Sequence, residues 1–202
     1  WKKLLTKGEK KMKFVCSKTI LNNIVNTVQK AIGSKTSHPI LECIKIEALN
    51  DGHVIFTANS LELCIEYTSE ITVYESGAIA LPSKIFCEIV RRLPEGEVNI
   101  SCDERNYITD IECDNSKFNI QGMEVEAFPD VPIIDEEYKT KISEKELKNI
   151  IRKVLPFISP METRKPVLTG ALFDFKEDTL SVVGTDSHRL AVINIPLEIN
   201  TI

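Results

Sequence analysis

The sequence is short of the residues from which most active sites are built. Across 202 residues it has three histidines (His38, His53 and His188), a single tryptophan and 6% aromatic residues. Its six cysteines, Cys16, Cys43, Cys64, Cys87, Cys102 and Cys113, include no C-x-x-C pair, so neither a zinc site nor a dithiol redox motif is supported. Each lies among apolar or strand-like neighbours, where cysteine behaves as a small buried residue. A reducing, cytoplasmic setting is the simplest account, and no metal or cofactor is expected. No apolar run is as long as a membrane span. Residues 1–11 are basic but lack the apolar core and cleavage site of a secretory signal; they read as a non-native or unstructured tail, with Met12 the expected start of the fold. One further absence is local. Acids outnumber bases, 30 to 25, for a net charge of −5, which argues against nonspecific nucleic-acid binding by the whole surface. Yet no Asp or Glu occurs between Lys18 and Lys35.

What is present, 43% hydrophobic and 27% charged, reads as a globular chain. Residues 12–16 predict a first strand. Ser17 is a suitable N-cap, and Ile20, Ile24, Val28 and Ile32 follow at helical spacing, with Gly33 closing the helix. Strands are predicted over 41–49 and 54–58, joined by a hairpin turn at Asn50-Asp51-Gly52, then over 61–71 and 77–81. Pro82-Ser83 opens a second helix with the stripe Ile85, Ile89 and Leu93. Strands follow over 97–102, 106–113 and 116–121. The stretch from Met123 to Pro132 is extended and proline-bearing, so a linker is placed over 123–137, between a first domain, 12–122, and a second, 138–202. In the second, 138–142 is a strand, and Ser143 and Glu146 form a capping box ahead of the stripe Leu147, Ile151 and Leu155. Strands are predicted over 167–175, 180–184 and 189–195.

A shift of 127 positions lays the second half on the first without a gap. Helix stripe, pre-strand proline (Pro39 on Pro166), hairpin turn (Asp51 on Asp178) and strand pairs stay in register together. The repeated unit is α+β, with helices on one side of antiparallel sheet. Ile202 then corresponds to Glu75, so the second copy lacks counterparts of 76–122 and is expected to be truncated.

The stretch from Val182 to Val192 reads as one strand, a tight polar corner and the start of the next strand. It sets His188 beside Arg189 where both are partly solvated. Polar tips between strands are most often plain turns. The repeat supplies a comparison: in the ungapped alignment the first copy has Leu61 in place of His188 and Glu62 in place of Arg189. A basic corner is therefore not something the fold demands.

Four stretches carry a resemblance. They are Thr185-Asp186-Ser187-His188-Arg189-Leu190-Ala191, the run from Arg164 to Gly170, His38-Pro39-Ile40-Leu41, and the run from Phe86 to Gly96. In these the chain closely resembles the bacterial DNA polymerase III beta subunit, the replicative sliding-clamp family, from Met12 onward. The resemblance implies tandem DNA-clamp domains, with antiparallel sheets outside and two helices per complete domain on the inner face of a homodimeric ring. It implies a non-catalytic processivity factor of DNA replication. The expected partners are duplex DNA, the replicative DNA polymerase, the clamp loader and other clamp-binding repair and replication proteins. The partner-peptide pocket would use Leu168, Gly170, Thr185, Ser187, His188, Arg189 and Leu190, and part of it would come from residues beyond Ile202. Leu168 and Leu190 suit apolar walls, and His188 and Arg189 suit rim donors and a flat stacking surface. The DNA-facing candidates are Lys30, Lys35, Lys84, Arg91, Arg92, Arg152, Lys153, Arg164 and Lys165, with Lys35 and Arg91 favoured by family position. Contacts of that kind read phosphate rather than base and weaken with salt. Surface helices also carry Lys and Arg for solubility alone.

Two other functions compete. An enzyme would use Asp186, Ser187 and His188 as a catalytic set, but consecutive strand residues point to opposite faces and do not converge on one substrate. A protein-interaction module with no DNA role leaves the acid-free helix unexplained.

Overall fold

The computed structural model of the chain describes residues 11–33, 38–103, 105–131, 138–160, 165–176, 178–196 and 200–201. The chain divides into two compact units, 1–131 and 132–202, each built from antiparallel strands with helices packed on them.

In the first unit the elements are β1 (Lys11–Ser17), α1 (Lys18–Val28), β2 (Cys43–Ala48), β3 (His53–Asn59), β4 (Cys64–Glu70), β5 (Thr72–Glu75), β6 (Gly77–Pro82), α2 (Ser83–Arg92), β7 (Glu97–Asp103), β8 (Ile108–Cys113) and β9 (Ser116–Gln121). They make a five-stranded sheet, β5-β1-β7-β8-β9, and a four-stranded sheet, β4-β3-β2-β6. The alternation of buried and exposed residues along β7 and β8 is the period-two pattern of a sheet with one face in the core. The core takes Phe14, Ile100 and Ile111 from one sheet, Ile46, Phe56 and Ile79 from the other, and Leu21, Ile24, Phe86 and Val90 from the helices. At its centre the rings of Phe14 and Phe56 meet edge to face, 6.2 Å between centroids. All six cysteines belong to this unit and are free thiols. Five are buried, and burial pushes the Cys16 thiol up to about 12.

The second unit contains β10 (Tyr138–Lys139), α3 (Glu144–Val154), β11 (Leu172–Phe175), β12 (Thr179–Thr185), β13 (Leu190–Pro196) and β14 (Asn200–Thr201). Its sheets are β11-β12-β13 and β10-β14. Its core is small: Ile150 and Val154 of α3 rest on Leu180 and Val182 of β12, flanked by Ile142, Ile158, Ile193 and Ile195. Gly184 lets α3 come close, because a Cβ there would lie 2.6 Å from Val154 Cγ1 and 3.2 Å from the Val154 carbonyl oxygen. No helix among the described residues is long and apolar enough to cross a membrane.

The structure departs from the sequence pattern at several places. The core stripe of α1 is Leu21, Ile24, Val25 and Val28, while Ile20 is 44% exposed. In α2 it is Phe86, Cys87, Val90 and Leu93, with Ile85 53% exposed. In α3 it is Ile150 and Val154, and Ile151 and Leu155 face outward. Each helix has adjacent apolar residues, so two stripes one residue apart satisfy the helical period, and packing selects between them. The strand expected over 61–71 begins only at Cys64, because Leu61 has a φ of +71° in the preceding corner. The strand expected from 167 begins at Leu172, because Pro166–Thr169 coils into a short 3-10 turn. The stretch expected as linker is engaged at its start: Met123 exchanges backbone hydrogen bonds with Ala80, and Phe128 is buried. β1 begins at Lys11, paired to Asp103.

The repeat is visible in three dimensions, but not without gaps. Ser17 caps α1 by accepting the Ile20 N–H, and Ser143 caps α3 by accepting the Glu146 N–H, a shift of 126. The 3-10 turns Pro39–Glu42 and Pro166–Thr169 match at 127. Ala48 pairs with Val54, and Phe175 pairs with Leu180, so the shift returns to 126 after a hairpin that is one residue shorter in the second copy. An extra residue before the 3-10 turn and a missing one in the hairpin cancel.

Candidate functional site

The corner between β12 and β13 is closed by the last pair of the ladder, Thr185 opposite Leu190. Between them, Thr185 Oγ1 accepts the Ser187 N–H at 3.2 Å and donates to the Arg189 carbonyl oxygen at 2.8 Å. Asp186 Oδ1 accepts the N–H groups of both His188 and Arg189 at 3.0 Å. These bonds hold Ser187 at a φ of +75°, a conformation costly for a residue with a Cβ.

The first copy builds the same corner. Asn59 Oδ1 accepts the Leu61 N–H at 2.7 Å, Ser60 Oγ accepts the Leu63 N–H at 3.2 Å, and Leu61 has a φ of +71°. The structural partners are therefore Asn59 with Thr185, Ser60 with Asp186, Leu61 with Ser187, Glu62 with His188 and Leu63 with Arg189. This moves the ungapped alignment by one residue. The corner's backbone belongs to the fold; the side chains His188 and Arg189 do not.

Asp186 Oδ2 accepts a further bond, from Arg189 Nε at 2.9 Å. The guanidinium lies over the Phe157 ring, 5.6 Å from its centroid, a cation–π arrangement. Arg189, predicted for the site, is thus held by two residues that are not: Phe157, carried on the 3-10 turn Leu155–Phe157, and Asp186. Leu168 is tied to the same segment, since its carbonyl oxygen accepts the Ser159 N–H at 2.8 Å, and its side chain is half-buried. Leu190, Ser187 and His188 are exposed. Gly170 is exposed too, and a Cβ there would meet nothing within 4 Å. The Asp186 carboxylate serves Arg189 and two backbone N–H groups, which is a turn-and-anchor arrangement rather than the aspartate–histidine pair of a hydrolase.

The Arg189 side chain and the His188 N–H hold the Asp186 carboxyl down at about 2, below the usual range for Asp. Because the folded-state value is depressed, this contact contributes above the ordinary carboxylate pKa and is lost as pH falls through about 2. A carboxyl carbon NMR titration should place the Asp186 midpoint there, and Arg189→Ala should return it toward the ordinary aspartate value.

The basic candidates lie elsewhere. Lys30, Lys84, Arg91, Arg92, Arg152, Lys153 and Lys165 are exposed; Lys35 and Arg164 lie outside the described residues. Arg91 Nη2 donates to Gln29 Oε1 at 2.9 Å, tying α2 to the end of α1, and Arg92 is paired to Glu88 at 2.6 Å. Helix electrostatics sort these residues. Arg91 and Arg92, and Arg152 and Lys153, sit in last turns, where a cation is favoured by the helix dipole whatever its function. α3 also begins with Glu144 and Glu146, the complementary charge. α1 and α2 have no acid in the first turn, and Lys84 stands in the first turn of α2, the end that disfavours it. Lys84 is therefore the base least explained by helix stability.

Family comparison agrees with this architecture. Residues 12–132 match the DNA polymerase III beta subunit, N-terminal domain, and residues 141–201 match its central domain. A beta sliding clamp of Halalkalibacterium halodurans is 37% identical over 197 residues, which is 94% of this chain and 51% of that protein. The crystal structure of the DNA polymerase sliding clamp from Bacillus subtilis superposes with a TM-score of 0.87 at 36% identity, covering 94% of this chain and 51% of that one. The beta subunit from DNA polymerase of Streptococcus pyogenes superposes with a TM-score of 0.83 at 28% identity, covering 94% and 51%. The chain spans about half the length of the curated relatives it matches. With two copies of one α+β unit matching successive domains of a single family, the chain belongs to the DNA polymerase III beta subunit family.

Proposed function

We propose that this chain serves as part of a processivity factor of bacterial DNA replication, a homodimeric sliding clamp in the cytoplasm that encircles duplex DNA. It catalyses nothing. The clamp loader places it on DNA, and it holds the replicative polymerase and other replication and repair proteins through their short peptides, converting repeated encounters into local ones. Residues 12–122 and 138–202 act as its first and second clamp domains. The observation that carries this reading is the match of the two units, in order, to the first two domains of one clamp family. The charge layout supports it: α1 is free of acids, and α2 keeps Lys84 in its first turn. Lys30, Lys84, Arg91 and Arg152 face phosphate, Arg92, Lys153 and Lys165 add to the positive field, and Lys35 and Arg164 belong to the same DNA-binding set by family position. The 185–190 corner, with Leu168 and Gly170, forms one side of the partner pocket.

The test neutralises Lys30, Lys84, Arg91 and Arg152 to Gln in the complete protein and measures its affinity for primed duplex across salt concentrations. The log–log slope should fall by about 0.9 for each residue that neutralises a phosphate. An unchanged slope removes these helices from the DNA surface and favours an interaction module with no DNA role.

A further inference from the structure

The first copy of the unit is an internal control for the second, and it isolates three residues. Both corners need one side-chain acceptor to close the turn on the fifth residue. Ser60 does this for Leu63 with a hydroxyl, and Asp186 does it for Arg189 with Oδ1. A carboxylate is therefore not required by the turn. Asp186 adds two bonds to this: Oδ1 also accepts the His188 N–H, where Ser60 Oγ takes only the Leu63 N–H, and a second oxygen, Oδ2, is bonded to Arg189 Nε.

The stacking partner follows the same logic. The 3-10 turns Gln29–Ala31 and Leu155–Phe157 are equivalent, each closed by the next residue's N–H on the turn's first carbonyl oxygen. Ala31 thus stands where Phe157 does. Acid, base and aromatic floor are present together in the second copy, and are Ser60, Leu63 and Ala31 in the first.

We propose that Asp186, with Phe157 beneath, is a positioning residue that holds Arg189 ready for a bound partner. The Nε edge of the guanidinium is bonded to Asp186 and its central carbon lies 5.6 Å from the Phe157 ring centroid, leaving the Nη groups for a carbonyl or carboxylate oxygen of an extended peptide. This rests on the partner-pocket reading above. Stability does not account for the arrangement, because the Arg189 side chain is 59% exposed and exposed ion pairs contribute little. Order does account for it. An arginine on a free stem loses rotamer freedom when it binds, and one already held loses less. The anchor itself is covered, with the Asp186 side chain 17% exposed, so the held donor sits at the surface and its holder beneath.

The decisive variant is Asp186→Ser, which copies Ser60. In the complete protein it should melt with the wild type, and it should bind the C-terminal peptide of the replicative polymerase three- to tenfold more weakly. In an Arg189→Ala background, adding Asp186→Ser should change the affinity no further. A slowly exchanging arginine Nε–H resonance should be present in wild type and lost in Asp186→Ser, with or without peptide. Equal weakening in both backgrounds overturns the proposal, because Asp186 would then act on the turn. An unchanged Nε–H resonance also overturns it. If Arg189→Ala weakens the peptide and Asp186→Ser does not, the anchor alone fails. If Arg189→Ala leaves affinity unchanged, the pocket reading fails, and the proposal with it.

Discussion

Gly184→Val is expected to unfold the second unit while leaving the first intact. A Cβ at this position lies 2.6 Å from Val154 Cγ1, 3.1 Å from Ile158 Cγ2 and 3.2 Å from the Val154 carbonyl oxygen. The last is backbone of α3, which moves only if the helix lifts off the sheet. Overpacking a core costs about 1–3 kcal/mol, occasionally more, and this contact belongs at the upper end. Among the described residues the buried apolar core of this unit is Ile150, Val154, Leu180 and Val182, and Val154 is the residue displaced. Gly170→Ala is the control. It lies in the same unit, has a φ of −124°, and a Cβ there meets nothing within 4 Å. Its effect should stay within about 0.5 kcal/mol, as for ordinary surface changes. Denaturant melts of the two variants, followed by circular dichroism, should separate them clearly. Equal midpoints would show that α3 does not press on β12 as described.

The second large effect falls in the first unit. Phe56→Ala should cost about 3–5 kcal/mol, the range for a fully buried aromatic. Phe56 is wholly buried, and its ring meets Phe14 edge to face across the two sheets. Phe14→Ala should cost a similar amount. The double variant should lose less than the sum by about 0.5–1.5 kcal/mol, the coupling of such a ring pair. Urea titrations of the four proteins measure this directly. Strict additivity would mean that the two rings fill separate spaces rather than one. A loss of this size is a large part of the total stability of an ordinary domain, about 5–15 kcal/mol.

Much of this architecture was legible in the residues, and what escaped has identifiable causes. Ser17 and Ser143 were readable as caps because a hydroxyl there has one local task, to accept an N–H three residues on. Pro39 and Pro166 marked where the chain turns, although both begin 3-10 turns rather than strands. Ile24, Val28 and Leu93 are buried as the pattern predicts, but α1 and α2 bury Leu21 and Phe86 in place of Ile20 and Ile85, because Ile20-Leu21 and Ile85-Phe86 offer equal periodicity and only the sheets beneath decide between them. A single-residue difference in loop length is invisible to a pattern that matches well on either side of it. It mattered most at the corner, where it set Arg189 against Glu62 instead of Leu63. The family resemblance supplied His188 and Arg189 but not the residues that hold Arg189. Phe157 lies 32 positions upstream of Arg189 and looked like one more apolar residue after a helix. Asp186 was in view, inside the corner, yet nothing local distinguishes a turn-capping aspartate from one that also anchors an arginine.

The cysteines have a use that follows from where they lie. All six fall within the first unit and none in the second, and five are buried with free thiols. Thiol reagents attack the thiolate, and burial pushes Cys16 up to about 12 and Cys43 up to about 11. At neutral pH these groups are silent until the structure around them opens. The molecule thus carries a clock wired to one of its halves. The rate at which disulfide reagents consume the buried thiols times the opening of the first unit and is blind to the second, so the two can be followed separately in one chain without adding a label.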